Sequence, residues 1–158
     1  MNLDINFEKE NVVFNFRVAI VIRNKDKILV QKDDRVTHVT LPGGRVLLGE
    51  NTIFTAIREF QEETGISCEF VKALGMIENF FVSSFNGKKY HEILVIQEIR
   101  FVNSDLYTLE SIPCTEEWHK GHLKFIWMDK EDLINNKFKP EILVKIINDR
   151  TFSYFINQ

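Results

Sequence analysis

The chain has 158 residues, 44% of them hydrophobic, which predicts one globular domain over residues 1–158 and excludes a disordered or fibrous chain. The net charge is −3, and no long Lys/Arg run stands out, so a duplex nucleic-acid partner is disfavoured. Two distant cysteines, Cys68 and Cys114, an unremarkable Met1–Asn6 start and no apolar run near the roughly 20 residues of a membrane helix point to a reduced cytoplasmic protein with no membrane contact.

In chain order, Phe14–Ile22 is dominated by β-branched residues and predicts a strand. Asn24-Lys25-Asp26 is turn chemistry, and Lys27–Lys32 reads as the returning strand of a hairpin. Val39-Thr40-Leu41 is a short extended piece that Pro42-Gly43-Gly44 breaks. A helix is expected from Asn51, a good N-cap, to Gly65, a good C′ residue, with Ile53, Ala56, Ile57 and Phe60 as its buried face. Phe70–Phe81 and Tyr90–Val102 predict two long strands joined by a loop containing Asn86-Gly87. Phe80, Phe81 and Phe85 are expected to pack in the core, with stacking on a base as the alternative. Residues 103–122 are polar and irregular, Leu123–Met128 is a further strand, and Asp129–Asn135 and Pro140–Asp149 are helical. Hairpins mixed with helices imply an α/β (α+β) fold on a mixed sheet.

The chemistry concentrates between Gly44 and Ile66. On the predicted helix Glu59, Glu62 and Glu63 share an arc of roughly 100°. A like-charged pair at about 6 Å costs roughly 3 kcal/mol at an effective dielectric of 20. Glu62 and Glu63 also lie at the helix C-terminus, where the macrodipole favours cations. Acid runs on helices are usually solvated faces, but a glycine loop feeding the same helix favours a site. A divalent cation removes both penalties, and an all-carboxylate set suits Mg²⁺ or Mn²⁺ better than zinc.

These residues resemble the signature of the Nudix hydrolase family, G-x5-E-x7-R-E-U-x-E-E-x-G-U, where U is bulky and apolar. Gly44, Glu50 and Arg58-Glu59-Phe60-Gln61-Glu62-Glu63-Thr64-Gly65-Ile66 fill every fixed position at the right spacing. Phe60 stands where the family commonly has an aliphatic residue, and Leu41-Pro42-Gly43-Gly44 fits the family's approach to the box. The resemblance implies an α/β/α sandwich around a mixed β-sheet. It also implies metal-dependent cleavage of a diphosphate linkage in a nucleoside diphosphate derivative or nucleoside triphosphate, a small nucleotide-like substrate. Under it Glu59, Glu62 and Glu63 would be metal ligands and Arg58 would orient one of them. Glu50 would support the loop–helix junction, and Gly43 and Gly44 would let phosphates come close.

The resemblance leaves the general base outside the box. Glu92, at the start of a predicted strand, and Glu116 and Glu117, in the polar loop, are the candidates, with Glu116 and Glu117 ranked above Glu92. His119 and His122 in the same loop are read as solvent-facing rather than metal-binding. The proline and tyrosine signatures of the ADP-sugar, NADH and dinucleoside-polyphosphate subfamilies are absent downstream of the box. Two other readings stand beside hydrolysis: a non-catalytic Nudix-like nucleotide-sensing module, against which the complete set of box acids counts, and an RNA cap-removing pyrophosphohydrolase, against which the missing basic patch counts. A homodimer is left open.

Overall fold

The computed structural model describes residues 3–158; Met1 and Asn2, the first residues of the start read above, lie outside it. The chain runs β1 (Asn6–Lys9), β2 (Val12–Val21), β3 (Arg23–Asn24), β4 (Lys27–Asp33), β5 (Val39–Thr40), β6 (Gly43–Arg45), α1 (Thr52–Thr64), β7 (Cys68–Val82), β8 (Lys89–Phe101), β9 (Ser111–Pro113), β10 (Leu123–Met128), α2 (Lys130–Asn135), α3 (Leu143–Asn148) and β11 (Ser153–Asn157). One sheet has the order β1-β2-β8-β7-β11 with β6 also paired to β2, and a second has β3-β4-β10-β9 with β5 paired to β4. β2/β8 and β7/β11 are parallel and the other pairs are antiparallel, so the architecture is mixed α+β, as expected. Among the described residues no helix is long and apolar enough to cross a membrane.

Strand periodicity builds two cores. In β2, Val18 and Ile20 point toward α1, while Ala19 and Val21 point the other way, toward α2 and α3. β4 and β8 divide in the same manner, Leu29 and Ile99 joining the α1 side, Val30 and Ile96 the opposite one. Helical layers therefore cover both sides of the strands. Phe60 is fully buried on the α1 side, with ring centroids 6.0 Å from Phe101 and 5.5 Å from Phe125, so the aromatic residue in the apolar slot of the box is accommodated.

Helix α1 follows its caps. Asn51 accepts from the Phe54 N–H at 2.9 Å, and Gly65 is left-handed at φ 75° with its N–H bonded to Gln61 O. Its buried face differs from the expected one. Ile53 is exposed and Ile57 only half-buried, while Thr55, Ala56, Phe60 and Glu63 are buried. Apolarity alone misplaced the stripe: Ile57 only packs against the edge of the core, Thr55 is buried because Glu50 and the Asn51 carbonyl accept from its hydroxyl, and Glu63 is buried with its Oε2 unpartnered among the described residues.

Three further expectations are corrected. Residues 103–122 hold a 3₁₀ turn at Ser104–Thr108 and strand β9, which completes an edge of the second sheet. The last helix starts at Leu143, so Pro140 precedes its first turn. Phe81 and Phe85 do not pack in the core: both are exposed, and Phe80 stacks on His91 at 4.4 Å while half-buried.

Candidate active site

The N-terminal half of the motif is a closed hydrogen-bond network. Glu50 accepts from Arg58 Nε at 2.7 Å and Nη2 at 2.8 Å, and its Oε1 also accepts from the Thr55 hydroxyl at 2.6 Å. Arg58 Nη2 donates to the Arg45 carbonyl at 3.1 Å, which ties the end of β6 to the helix. The bidentate pair explains why the Glu50 carboxyl is held below its usual range, Arg58 being the main cause. Both oxygens of Glu50 are thus engaged within the protein, which suits it to support the junction and leaves little for a substrate.

Arg58 also serves the acids beyond it. Its Nη1 donates to Glu59 Oε1 at 2.9 Å and to Glu62 Oε2 at 3.1 Å. The repulsion expected among the three glutamates is therefore partly offset by one guanidinium. Glu59 lies beneath β6, where a Cβ on Gly44 would overlap its Cδ and Oε2; only glycine lets strand and carboxylate approach this closely. Burial is the largest cause raising the Glu59 pKa, with Arg58 opposing it and Glu62 and Glu116 adding to it. Gly43 has a different reason: a Cβ there would overlap the Val18 carbonyl on β2.

Glu63 is the exception. It is only 8% exposed, and among the described residues its Oε2 has no hydrogen-bond partner. Burial pushes its pKa up to about 8, with Glu116 and Glu59 adding repulsion and Arg17 opposing. The loop after β9 is fastened here, because Thr115 donates to Glu63 O through its N–H at 2.7 Å and its hydroxyl at 3.1 Å. That anchor brings the half-buried Glu116 within electrostatic reach of Glu59 and Glu63, whereas Glu117 faces solvent. His119 and His122 are drawn elsewhere, to Arg35 and Asp34, each at 2.9 Å.

Among the described residues no three His, Cys, Asp or Glu side chains form a ready ligand set. The local chemistry nevertheless fits a hard cation: carboxylate oxygens only, one of them buried and unpaired, beside a backbone that glycine opens. Glu59, Glu62, Glu63 and Glu116 together form that neighbourhood.

Beside it lies a cleft of about 770 Å³, whose walls include Gly43, Arg45, Arg17, Glu92, Phe81 and Tyr90. The box glutamates do not line it. Arg17 connects the two regions, with Nη1 at 3.9 Å from Glu92 Oε2 and a field felt at Glu63. Glu92 is buried in the cleft floor, where Asn15 donates to it at 3.3 Å; Asn15 accepts in turn from Arg45 at 3.1 Å. Arg17, Asn15 and Arg45 escaped the sequence reading. The signal was present in Phe14-Asn15-Phe16-Arg17, where polar residues alternate with aromatic ones in a strand buried on both faces further along.

Comparisons with known proteins place the chain in a family. A family model described as NUDIX domain matches residues 13–148. A Lactococcus lactis protein named "Probable DHNTP pyrophosphohydrolase" is 30% identical over 125 residues, 71% of this chain and 74% of that protein. A Mycobacterium tuberculosis relative is 40% identical over 67 residues, 42% of this chain, and the match spans only 26% of that longer protein. The fold is shared with a NUDIX hydrolase from Nitrosomonas europaea at a TM-score of 0.63 and 13% identity, covering 91% of this chain and 79% of that one. With the complete box inside the matched residues, this chain belongs to the Nudix hydrolase family.

Proposed function

We propose that the chain hydrolyses a phosphoanhydride bond in a nucleoside diphosphate derivative or nucleoside triphosphate, with Glu59, Glu62 and Glu63 holding Mg²⁺ or Mn²⁺. The observation that carries this reading is Glu63 Oε2, a buried carboxylate oxygen without a partner beside two further glutamates and Glu116. A buried, unpaired carboxylate is costly, and a divalent ion at this place removes the cost. The name of the Lactococcus lactis relative, a pyrophosphohydrolase, points the same way.

A bound Mg²⁺ or Mn²⁺ supplies a lowered water pKa and neutralises charge on the phosphoryl oxygens. The chain's own residues do the rest. Arg58, locked by Glu50, orients Glu59 and Glu62. Arg17 and Arg45, in the cleft wall, bring positive charge for the phosphates to a chain of net charge −3. Water attacks one phosphorus, the anhydride P–O bond breaks, and the proton passes to a carboxylate. Glu116 is best placed to receive it, ahead of Glu92, which is already bonded to Asn15, and Glu117, which faces solvent. The test is a phosphate-release screen of nucleotide diphosphates and triphosphates with Mg²⁺ and with Mn²⁺. Release dependent on either ion supports the reading; no release from any nucleotide overturns it.

A further inference from the structure

Strand β11 follows the residues that match the family model, which end at 148, yet it reaches the cleft. It pairs in parallel with β7, and the register sets Asn157 beside Asn79. Asn157 Nδ2 donates to Asn79 Oδ1 at 2.8 Å. Asn79 is only 6% exposed, and among the described residues its Nδ2 has no hydrogen-bond partner. Both amides line the cleft. The one bond between them leaves Asn79 Nδ2 as a donor and Asn157 Oδ1 as an acceptor outside it.

Two residues along β7, on the same face and roughly 7 Å away, stands Phe81. Its ring is stacked on Tyr90 with centroids 5.0 Å apart and planes 9° apart, and 38% of the residue is still exposed. Both rings line the cleft. Phe85, 82% exposed in the loop between β7 and β8, also lines it. An aromatic wall beside two amides that together offer a free donor and a free acceptor suits a planar heteroaromatic base. The wall stacks on the ring, and the amides read an edge on which a donor adjoins an acceptor.

We infer that Asn79 and Asn157 form an edge-reading pair which, with Phe81 as stacking wall, selects substrates carrying a nucleobase-like ring, and that β11 is the specificity element of this chain. The inference rests on the proposed hydrolysis and deepens it by naming what occupies the far end of the cleft.

The experiment uses the full chain, wild type and the Asn157→Ala, Asn157→Asp and Phe81→Ala variants, with melting temperatures to confirm folding. KM and kcat are measured on the four common ribonucleoside triphosphates and on inorganic tripolyphosphate. Nucleoside monophosphates are titrated separately, without metal, by NMR. Asn157→Ala should raise KM for nucleotides about 10- to 100-fold, the range one bidentate amide–base contact supports. Its kcat should stay near wild type and tripolyphosphate should be unaffected. Monophosphate binding should weaken in parallel. An unchanged nucleotide KM, or equal weakening of tripolyphosphate, overturns the inference. If no nucleotide is hydrolysed by wild type, the hydrolysis reading fails, and the titration still decides the pair: weaker monophosphate binding in Asn157→Ala upholds it, and equal binding overturns it.

Discussion

Glu50 and Glu63 stand at opposite ends of one motif, and the fold treats them in opposite ways. Glu50 is met by a bidentate guanidinium and a hydroxyl, and its pKa falls. Glu63 is buried at the helix C-terminus with one oxygen unpartnered and other carboxylates nearby, and its pKa rises to about 8. The same side chain is scaffold at one end and a frustrated charge at the other. The difference lies in what the neighbouring segments bring: Arg58 to the first, Glu116 to the second. Violations of local consistency of this kind mark the place where a protein does its work.

The strongest way to break that contrast is to remove the ion proposed to resolve it. Turnover in the phosphate-release assay should fall to background in excess EDTA and return with added Mg²⁺ or Mn²⁺. Full activity under chelation would leave Glu63 as an unexplained structural defect. Next in size, Glu116→Gln should lower kcat by roughly 10²–10⁴-fold at saturating substrate and metal, with metal affinity little changed, if Glu116 accepts the proton. Glu92→Gln and Glu117→Gln should lose far less. Equal turnover in all three variants would return the proton to a box glutamate.

The loop side of the contrast is sharpened by Gly44→Ala. The added Cβ collides with the end of the Glu59 side chain rather than with backbone, so Glu59 must shift while the fold survives. Misplacement near 1 Å at a reacting centre costs about 10²-fold. The expected outcome is that loss in kcat with a melting temperature near wild type; unchanged kcat would mean that the carboxylate position is not critical.

How much of this was legible beforehand follows the physics of each signal. The caps of α1, Asn51 and Gly65, act through adjacent backbone, so its bounds could be read directly. A β-branched run located β2, and alternation along the chain located β7 and β8, both again local signals. Strands β1, β9 and β11 are short edge pieces whose stability comes from partners distant in sequence, and nothing local announces them. The box acids were visible through spacing. That Glu63 would be buried was not, because its exposure depends on Thr115 docking onto the end of the helix. Phe81 looked like core because a phenylalanine in a strand usually is, and only the placement of β11 and the cleft beside it shows otherwise.

Stability separates the two ends in a smaller but measurable way. Arg58→Ala removes the partner of Glu50, whose side chain is only 8% exposed, and should cost about 3 kcal/mol. In a chain of this length that is a fall of roughly 6–12 °C in melting temperature. Glu63→Gln removes a charge that has no partner, and without metal it should keep or raise the melting temperature. A large metal-free destabilisation would make Glu63 structural.

The pH dependence of that last comparison carries the smallest effect and the sharpest sign. Glu63 has a folded-state pKa of about 8 against an ordinary value of 4.5, so the fold favours its protonated form. Its contribution to stability is complete below about pH 4.5 and is lost progressively as pH rises through about 8. Glu50 has the opposite sign: its lowered pKa contributes stability above the ordinary carboxylate value, lost as pH falls through the folded one. In metal-free protein, wild type and Glu63→Gln should therefore melt close together at pH 5, where neither carries the buried charge. The variant should gain a few degrees over wild type by pH 8.5, where wild type must hold an ionised, unpaired carboxylate. Glu50→Gln should show no widening over that interval and should differ from wild type most above pH 5, the difference shrinking in acid. Melting curves at half-unit steps from pH 3.5 to pH 8.5 resolve both trends. A constant offset between wild type and Glu63→Gln across that range would mean that the Glu63 carboxylate is solvated or paired in solution, and the contrast between the two ends of the helix would collapse.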